Sequence, residues 1–165
     1  MHYVFGYGSL IHIPNGEQNC HIGYARLHAG SSALSMRRAW NAHSTCRQTG
    51  QKYTAVGLEW TLPSKTRPVN GRIFTCTNEE LAELREREKG YDSIGLPACL
   101  FEFLTPLGSP LPPDTYILSF MPRNPQRPTE EFPINASYLN SCVEACAVVN
   151  PEFAEEFLRE TTVAD

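Results

Sequence analysis

The segment HYVFGYGSL, residues 2–10, joins a β-forming run to a glycine-rich loop. Residues 2–5 predict a short buried strand that leads directly into the loop GYGS at residues 6–9. Two glycines one residue apart can take a positive φ and let the backbone approach a ligand closely. Successive N–H groups of such a loop can form a concave anion site, to which the Ser9 hydroxyl adds a donor. The other interpretation is a simple tight turn, because the loop lacks the third glycine and following helix of a dinucleotide-binding motif.

The rest of the chain contains five further predicted strands and three predicted helices. Further runs of β-forming residues lie at 23–29, 53–62, 69–76, 98–104 and 114–121. Three helices are predicted from their capping residues. They begin after Thr77, after Asn135 and at Pro151, and they end near Gly90, residue 148 and residue 161. This order predicts an α+β fold with a helical C-terminus, because regular βαβ winding would alternate strands and helices throughout.

The composition is that of a soluble globular chain, and 165 residues predict one domain spanning residues 1–165. Apolar residues make up 41%, charged residues 19%, and the mean hydropathy is −0.33. The net charge of −4 argues against nucleic acid or an anionic membrane as a partner. No apolar run reaches the roughly 20 residues of a membrane helix. The first residues lack the features of a signal peptide, so we expect a cytoplasmic protein.

The cysteines and histidines show no metal-binding or catalytic spacing. The six cysteines are Cys20, Cys46, Cys76, Cys99, Cys142 and Cys146. No CxxC pair occurs among them, and in a reducing cytosol we expect free, mostly buried thiols. The five histidines form neither HExxH nor HxH, so no metal site and no metal cofactor are predicted.

Glu88 is a charged residue at a position where helical periodicity expects an apolar one. The first predicted helix has an apolar stripe at Leu81 and Leu84, and Glu88 follows them by seven and four residues. A carboxylate on the buried face is costly unless it is paired or functional. One interpretation is an ion pair with Arg87 or Arg72, or a side chain that extends to solvent at the end of the helix. The other is a general acid/base whose pKa is raised by burial.

Four segments, in this order and spacing, resemble the gamma-glutamyl cyclotransferase family. VFGYGSL at residues 4–10 resembles the family's YGS[LN] loop, and LREREKGY at residues 84–91 resembles its LDxRE…Y motif, whose glutamate is catalytic. VNGRIF at residues 69–74 is similar to the preceding strand, and ASYL at residues 136–139 to a segment that carries a site tyrosine. Arg85 stands where the family usually has aspartate, and the single Gly90 where its glutathione-specific branch usually has two glycines.

The resemblance implies a small mixed β-barrel with flanking helices, no cofactor, and release of 5-oxoproline from a γ-glutamyl amide. It implies that Glu88 is the catalytic residue. The implied substrate-binding residues are Tyr7, Gly8, Ser9, Leu10 and Tyr138.

The chemistry of γ-glutamyl cyclisation fits these residues. The substrate's own α-amine is the nucleophile, so no catalytic thiol, triad or metal is needed. One carboxylate with a pKa near neutrality can take a proton from the ammonium and give it to the departing amine, and Glu88 fits that role. The backbone of residues 7–10 can anchor the α-carboxylate or stabilise the oxyanion, and Tyr138 can orient either end.

The sequence leaves several alternatives open. A non-catalytic small-molecule binding module that keeps the fold is the second interpretation, and Arg85 is the residue that supports it. The leaving group can be an amino acid, another amine, glutathione or a protected biosynthetic intermediate. Eight of the 13 prolines lie between Pro106 and Pro133, which predicts a stiff segment. We expect it to border the leaving-amine side of the site, the alternative being a rigid surface loop. The oligomeric state is left undefined.

Overall fold

Within residues 1–14, 20–30 and 34–163, which the computed structural model describes, nine β-strands form two sheets. The strands are β1 His2–Gly6, β2 His21–Leu27, β3 Met36–Thr45, β4 Lys52–Trp60, β5 Val69–Cys76, β6 Tyr91–Pro97, β7 Phe101–Phe103, β8 Tyr116–Pro122 and β9 Thr161–Val163. The helices are α1 Asn78–Arg87, α2 Ala136–Val149 and α3 Pro151–Glu160. The α+β class predicted from the order of elements is confirmed.

The first strand lies at the centre of the larger sheet. This sheet has six strands in the order β6-β8-β1-β5-β2-β7, and β1 pairs antiparallel with β5 and parallel with β8. Val4 and Phe5 are fully buried and point to opposite faces. Phe5 belongs to the main core beneath α2 and α3, whereas Val4 packs with Leu81 and Leu84 of α1. Both faces of the central strand are therefore covered, and the glycine-rich loop leaves from its end.

The strands do not close into a barrel in the described part of the chain. The smaller sheet has the order β4-β3-β9, and the larger one ends at β6 and β7. β4 packs against β8 without a hydrogen-bond ladder between them. The contact is close at Gly57, where an added Cβ would lie 2.2 Å from Cγ of Pro122. Pro122 at the end of β8 has no N–H to extend a ladder. The two sheets therefore pack against each other, and the implied closed barrel is corrected to two open sheets.

All six strand segments predicted from β-forming residues contain a strand, but three strands were not predicted. The 98–104 segment holds only the short β7, because Ala98–Leu100 forms a 3₁₀ turn. β3 was missed because two arginines and an asparagine interrupt its pattern, yet these residues are buried. β6 was missed because Asp92, Gly95 and Pro97 interrupt its β-forming pattern at the edge of the sheet, and β9 because it has three residues.

The three predicted helices and their caps are confirmed. The Thr77 hydroxyl accepts a hydrogen bond from the Glu80 N–H at 3.2 Å at the start of α1. The side chains of Asn135 and Asn150 accept from backbone N–H groups at 2.8 Å and 2.7 Å at the starts of α2 and α3. No helix among the described residues is long and apolar enough to cross a bilayer.

Arg38 of β3 joins the two sheets from the inside. Its side chain is fully buried, and all five guanidinium N–H groups have acceptors. Nε donates to Thr161 Oγ1 at 2.7 Å, and Nη1 donates to the carbonyls of Tyr7 and Asn70 at 3.0 Å and 2.8 Å. Nη2 donates to Asn70 Oδ1 at 2.8 Å and to the Phe157 carbonyl at 3.4 Å. Burial lowers the pKa of Arg38 to about 10, so the group stays charged at neutral pH.

Replacing Arg38 with Met is expected to lower the free energy of unfolding by at least about 3 kcal/mol, because several buried acceptors would lose their donor. Arg38→Lys keeps the charge but offers three donors, so we expect an intermediate loss. Urea unfolding measures both changes. Arg85→Met is the control, since Arg85 is exposed. An Arg38→Met protein as stable as the wild type would contradict the role assigned to Arg38.

Candidate active site

A small pocket of about 40 Å³ brings the residues singled out in the sequence together. The loop at residues 6–10, Glu88 and Tyr138 all line it. The pocket also has walls that the sequence analysis did not select. They are Phe5, Val56 and Tyr91, whereas Phe120, which also lines the pocket, belongs to the proline-rich segment predicted to border the site. The loop after β1, the end of α1 and the first turn of α2 therefore meet at one point of the fold.

Gly8 is required for packing and not for a left-handed conformation. Its φ is −135°, so the predicted positive φ is wrong. Among the described residues only Gly50 has a positive φ. A Cβ on Gly8 would lie 2.7 Å from Cγ2 of Val56 and 3.1 Å from the Tyr138 hydroxyl. The loop passes so close to β4 and α2 that no side chain fits, and this closeness forms the pocket wall.

The loop continues into a single 3₁₀ turn at Ser9–Ile11. The N–H of Ile11 donates to the Gly8 carbonyl at 3.0 Å and closes this turn. The N–H groups that begin a helical turn have no acceptor within it. Ser9 and Leu10 therefore supply backbone donors at the edge of the pocket.

Tyr7 is buried and has a structural role as well as a place in the pocket wall. Its hydroxyl donates to the Phe120 carbonyl of β8 and accepts from the Leu58 N–H of β4 at 3.1 Å. Its carbonyl accepts from Arg38. Burial raises the pKa of the Tyr7 hydroxyl. Because the hydroxyl already has two partners, Tyr7 fixes the loop between the two sheets.

Glu88 lies immediately after α1 and is only partly buried. Its N–H donates to the Leu84 carbonyl at 2.9 Å and caps the helix, while its side chain lines the pocket. Burial raises the pKa of the Glu88 carboxyl, and the nearby Arg87 charge opposes this increase.

The ion pair considered for Glu88 is not formed within the described part of the chain. No basic side chain there lies within 4.0 Å of its carboxylate. Arg72 donates instead to the Leu10 carbonyl at 3.1 Å and stacks on Phe74. The interpretation as an ion pair is therefore not supported, and the role of Glu88 as a general acid/base stays a prediction.

Two tyrosine hydroxyls complete the pocket beside β4. The Tyr138 hydroxyl accepts from the Val56 N–H at 3.4 Å, and the Tyr91 hydroxyl donates to the Val56 carbonyl at 3.3 Å. Burial raises the pKa of both hydroxyls well above the usual value for tyrosine. Both hydroxyls are therefore neutral, and that of Tyr91 already donates its proton to Val56. The sequence analysis did not select Tyr91 as a site residue. The tyrosine three residues after Glu88 in the LREREKGY segment was the signal that could have identified it.

A larger cleft of about 650 Å³ opens beside the small pocket. Ser9, Glu88, Tyr91 and Tyr138 line both cavities, so the two are continuous. The other walls come from the hairpin between β3 and β4, from the end of α1 and from the segment after β8. They include residues 42–48, Tyr53, Ala55, Arg87, Gly90, Pro122, Asn124 and Gln126.

The proline-rich segment borders this cleft only through its second half. Pro122, Asn124 and Gln126 line the cleft, whereas the described lining includes nothing from residues 106–121. The Gln126 N–H donates to the Asn41 carbonyl at 2.8 Å, and the Thr54 N–H donates to the Pro133 carbonyl at 2.8 Å. These bonds fix the segment along the outside of the smaller sheet.

Among the described lining residues of the two cavities, Cys46 is the only cysteine. All six cysteines are free, and half of them are buried. Burial raises the pKa of Cys142 to about 11 and that of Cys146 to about 12. Cys46 lies at the cleft, and a hydrogen bond from Thr49 lowers its pKa. Within the described residues, no three His, Cys, Asp or Glu side chains are grouped as metal ligands.

Solved structures share this fold. A gamma-glutamyl cyclotransferase superposes with a TM-score of 0.64 at 14% identity, covering 95% of this chain and 86% of that one. Uncharacterized protein loc79017 from Homo sapiens superposes with a TM-score of 0.62 at 14% identity and the same coverages, 95% and 86%. A gamma-glutamyl cyclotransferase specific to glutathione from yeast gives 0.50 at 16% identity, with coverages of 96% and 88%.

No protein-family model matches the chain, and no curated protein matches its sequence significantly. The chain has the fold of gamma-glutamyl cyclotransferases, as the sequence resemblance implied.

Gly8→Ala is expected to lower the free energy of unfolding by about 1–3 kcal/mol, because the new methyl group would overlap Val56 and press on Tyr138. Gly108→Ala is the matched control, since nothing lies within 4 Å of a Cβ there. We expect no loss of stability in the control. Urea unfolding compares the two. Equal stabilities would show that the loop does not need glycine at position 8.

Proposed function

We propose that this protein cyclises a γ-glutamyl amide and releases 5-oxoproline together with a free amine. The observation that carries this proposal is the carboxyl of Glu88, which has a raised pKa and no ion-pair partner among the described residues. It lines the same pocket as the Gly6–Leu10 loop and Tyr138. The shared fold supports the same reaction class.

The reaction needs only the substrate's own nucleophile and one proton carrier. The α-amino nitrogen forms a bond to the γ-carbonyl carbon, and the bond from that carbon to the leaving nitrogen breaks. The α-ammonium loses two protons on its way to the lactam N–H, and Glu88 accepts them one at a time. It delivers the first to the leaving nitrogen as the bond breaks, and the released amine takes up the second to become an ammonium. No water is consumed. Holding the amine against the carbonyl contributes about 7–11 kcal/mol to the lowering of the barrier.

The other pocket residues bind and orient. The N–H groups of Ser9 and Leu10 donate to the α-carboxylate or to the oxyanion that forms during attack. The neutral hydroxyls of Tyr91 and Tyr138 orient the reacting amide. The small pocket holds the reacting end of the γ-glutamyl group, and the leaving amine extends into the larger cleft.

The interpretation as a binding module depends on Arg85. Arg85 is exposed on α1 and lines neither cavity, so its replacement of aspartate does not alter the described pocket lining. A 5-oxoproline assay with γ-glutamyl amides separates the two functions. A binding module would retain the ligand without releasing 5-oxoproline.

Glu88→Gln is expected to reduce kcat by about 10²-fold or more, because glutamine cannot exchange a proton near neutrality. Substrate binding should persist, since the loop donors are unchanged. The measurement is 5-oxoproline release, with dissociation constants from calorimetry. Glu86→Gln is the control, as Glu86 is exposed and forms only a surface pair with Lys89. Near-normal kcat in Glu88→Gln would remove Glu88 from the mechanism.

The same substitution is expected to stabilise the protein at neutral pH. The folded protein raises the pKa of Glu88, so the ionised carboxylate opposes folding. This cost is absent below the unfolded pKa of about 4.3 and grows as the pH rises through the folded pKa. Glu88→Gln should therefore raise Tm at neutral pH and have little effect near pH 4. A lower Tm at neutral pH would indicate a structural ion pair instead.

The pH dependence of kcat/KM provides a separate prediction. With Glu88 as the base, kcat/KM should increase through an apparent pKa above the ordinary value of about 4.3. The charge of Arg87 lowers the pKa of Glu88, so Arg87→Gln should move this limb to higher pH. Arg85→Gln, on the same helix, should leave it in place. If the pH at which kcat/KM rises were the same in Arg87→Gln as in Arg85→Gln, Glu88 would not be the base.

A further inference from the structure

A further cavity of about 540 Å³, here called the outer cavity, lies next to the cleft. Its described lining comes from β3, β4 and β6 and from the stretch 121–127. Pro122 and Gln126 line both the outer cavity and the cleft, whereas no described residue of the small pocket lines the outer cavity. Small-molecule sites usually have volumes of about 300–1,000 Å³, so this space is large enough for a ligand of its own.

A polar network on the smaller sheet forms the floor of the outer cavity. Arg37 Nε donates to Glu59 Oε2 at 2.9 Å, and Asn41 Nδ2 donates to Glu59 Oε1 at 3.0 Å. Arg37 and Asn41 are buried, and the side chain of Glu59 is only 13% exposed. A buried ion pair adds little net stability, because the loss of hydration offsets the attraction. In the wall of a cavity, however, such a network presents fixed hydrogen-bonding groups to a ligand.

This floor has acceptors to spare. A carboxylate offers about four lone-pair sites, and the bonds from Arg37 and Asn41 to Glu59 use two of them. Asn41 Oδ1 is buried and has no hydrogen-bond partner among the described residues. A buried acceptor without a donor is costly, so the floor suits a ligand that presents N–H groups. Two adjacent N–H donors on one edge of the ligand would match the two oxygens of the carboxylate.

Trp60 adds an aromatic surface to the outer cavity. It is 53% exposed at the end of β4, and it lines the cavity together with Met121 and Pro125. The other tryptophan of the chain, Trp40, is only 6% exposed and belongs to the core. An exposed indole beside an open cavity is suited to stacking on a flat ring.

Two exposed arginines bring positive charge to the rim of the outer cavity. Arg123 forms an exposed ion pair with Asp92 at 3.0 Å. No carboxylate in the described part of the chain lies within 4.0 Å of the Arg127 guanidinium. His43 Nε2 lies 2.7 Å from the Arg127 carbonyl, which holds the backbone at this position. A guanidinium binds phosphate through paired N–H donors, so Arg127 offers the rim a site for an anion.

We propose that the outer cavity binds a guanine mononucleotide. Such a ligand combines the three features that the lining matches: a flat ring, an edge with two adjacent N–H donors, and an anion. The base stacks on Trp60, its N–H edge donates to the carboxylate of Glu59, and the phosphate binds to Arg127. Binding there uses none of the residues assigned to γ-glutamyl cyclisation, so the site does not depend on that reaction.

Calorimetric titration of the full protein with GMP tests this site. We expect saturable binding of one GMP per chain. Guanosine lacks the anion and ribose 5-phosphate lacks the base, so each should bind at least about fivefold more weakly. AMP lacks the paired N–H edge and should also bind at least about fivefold more weakly. No binding of GMP, or equal binding of ribose 5-phosphate, would overturn the proposal. Equal binding of AMP would overturn the selection of guanine by the floor.

Two variants test where the nucleotide binds. Trp60→Ala should weaken GMP binding at least about fivefold because stacking is lost, and Arg127→Gln should weaken it by a similar factor. Both residues are exposed, so we expect urea unfolding of the variants to match the wild type. Arg87→Gln is the matched control, since Arg87 lines the cleft and not the outer cavity. Unchanged GMP binding in the first two variants, or weaker binding in the control, would overturn the assignment to the outer cavity.

Fluorescence locates the stacking contact independently. GMP should quench the tryptophan emission of the wild type and leave that of Trp60→Ala unchanged, because the latter retains only the buried Trp40. Equal quenching in both proteins would overturn the contact with Trp60. None of these measurements requires turnover, so a protein that releases no 5-oxoproline would disprove the proposed reaction and still give a result for the nucleotide site.

Discussion

A charged guanidinium sealed between two sheets sets the geometry of this fold. A buried ion is tolerated only when its hydrogen-bonding groups are satisfied, and Arg38 has no carboxylate partner within ion-pair distance among the described residues. It relies on neutral acceptors from the loop after β1, from Asn70 of β5, and from the end of α3 with β9. The five hydrogen bonds share one rigid guanidinium, so a shift of one acceptor would lengthen the bonds to the others. The relative position of the sheets, and with it the position of Tyr7, follows from this requirement.

The candidate site depends on that same arrangement. Tyr7 gives its carbonyl to Arg38 and uses its hydroxyl to join β4 to β8, so the glycine-rich loop cannot shift independently of either sheet. α1 packs on one face of the larger sheet and delivers Glu88 at its end. α2 packs on the other side and delivers Tyr138 from its first turn. The proton carrier and the binding loop therefore rest on rigid elements and not on long flexible segments.

Local sequence signals predicted much of this arrangement, and long-range packing determined the rest. Glycine spacing marked the loop, helical periodicity marked Glu88, and capping residues marked all three helices. β3 escaped prediction because Arg38 belongs to the interior, and no local pattern shows that distant acceptors are available to it. The conformation of Gly8 was predicted wrongly for a similar reason, since its need for glycine comes from Val56, 48 positions along the chain.

The segment after β8 also has a bearing on association between molecules. β4 is an outer strand of its sheet, and such an edge can recruit a strand from another chain. Here the carbonyls of Phe132 and Pro133 accept hydrogen bonds from the hydroxyl and the N–H of Thr54, near the start of that edge. The prolines of the covering segment lack the N–H groups that would continue a ladder outward. The segment that ends at Pro133 thus forms a barrier to edge-to-edge aggregation, which allows β4, with Tyr53, Val56 and Trp60, to lie at the margin of a sheet.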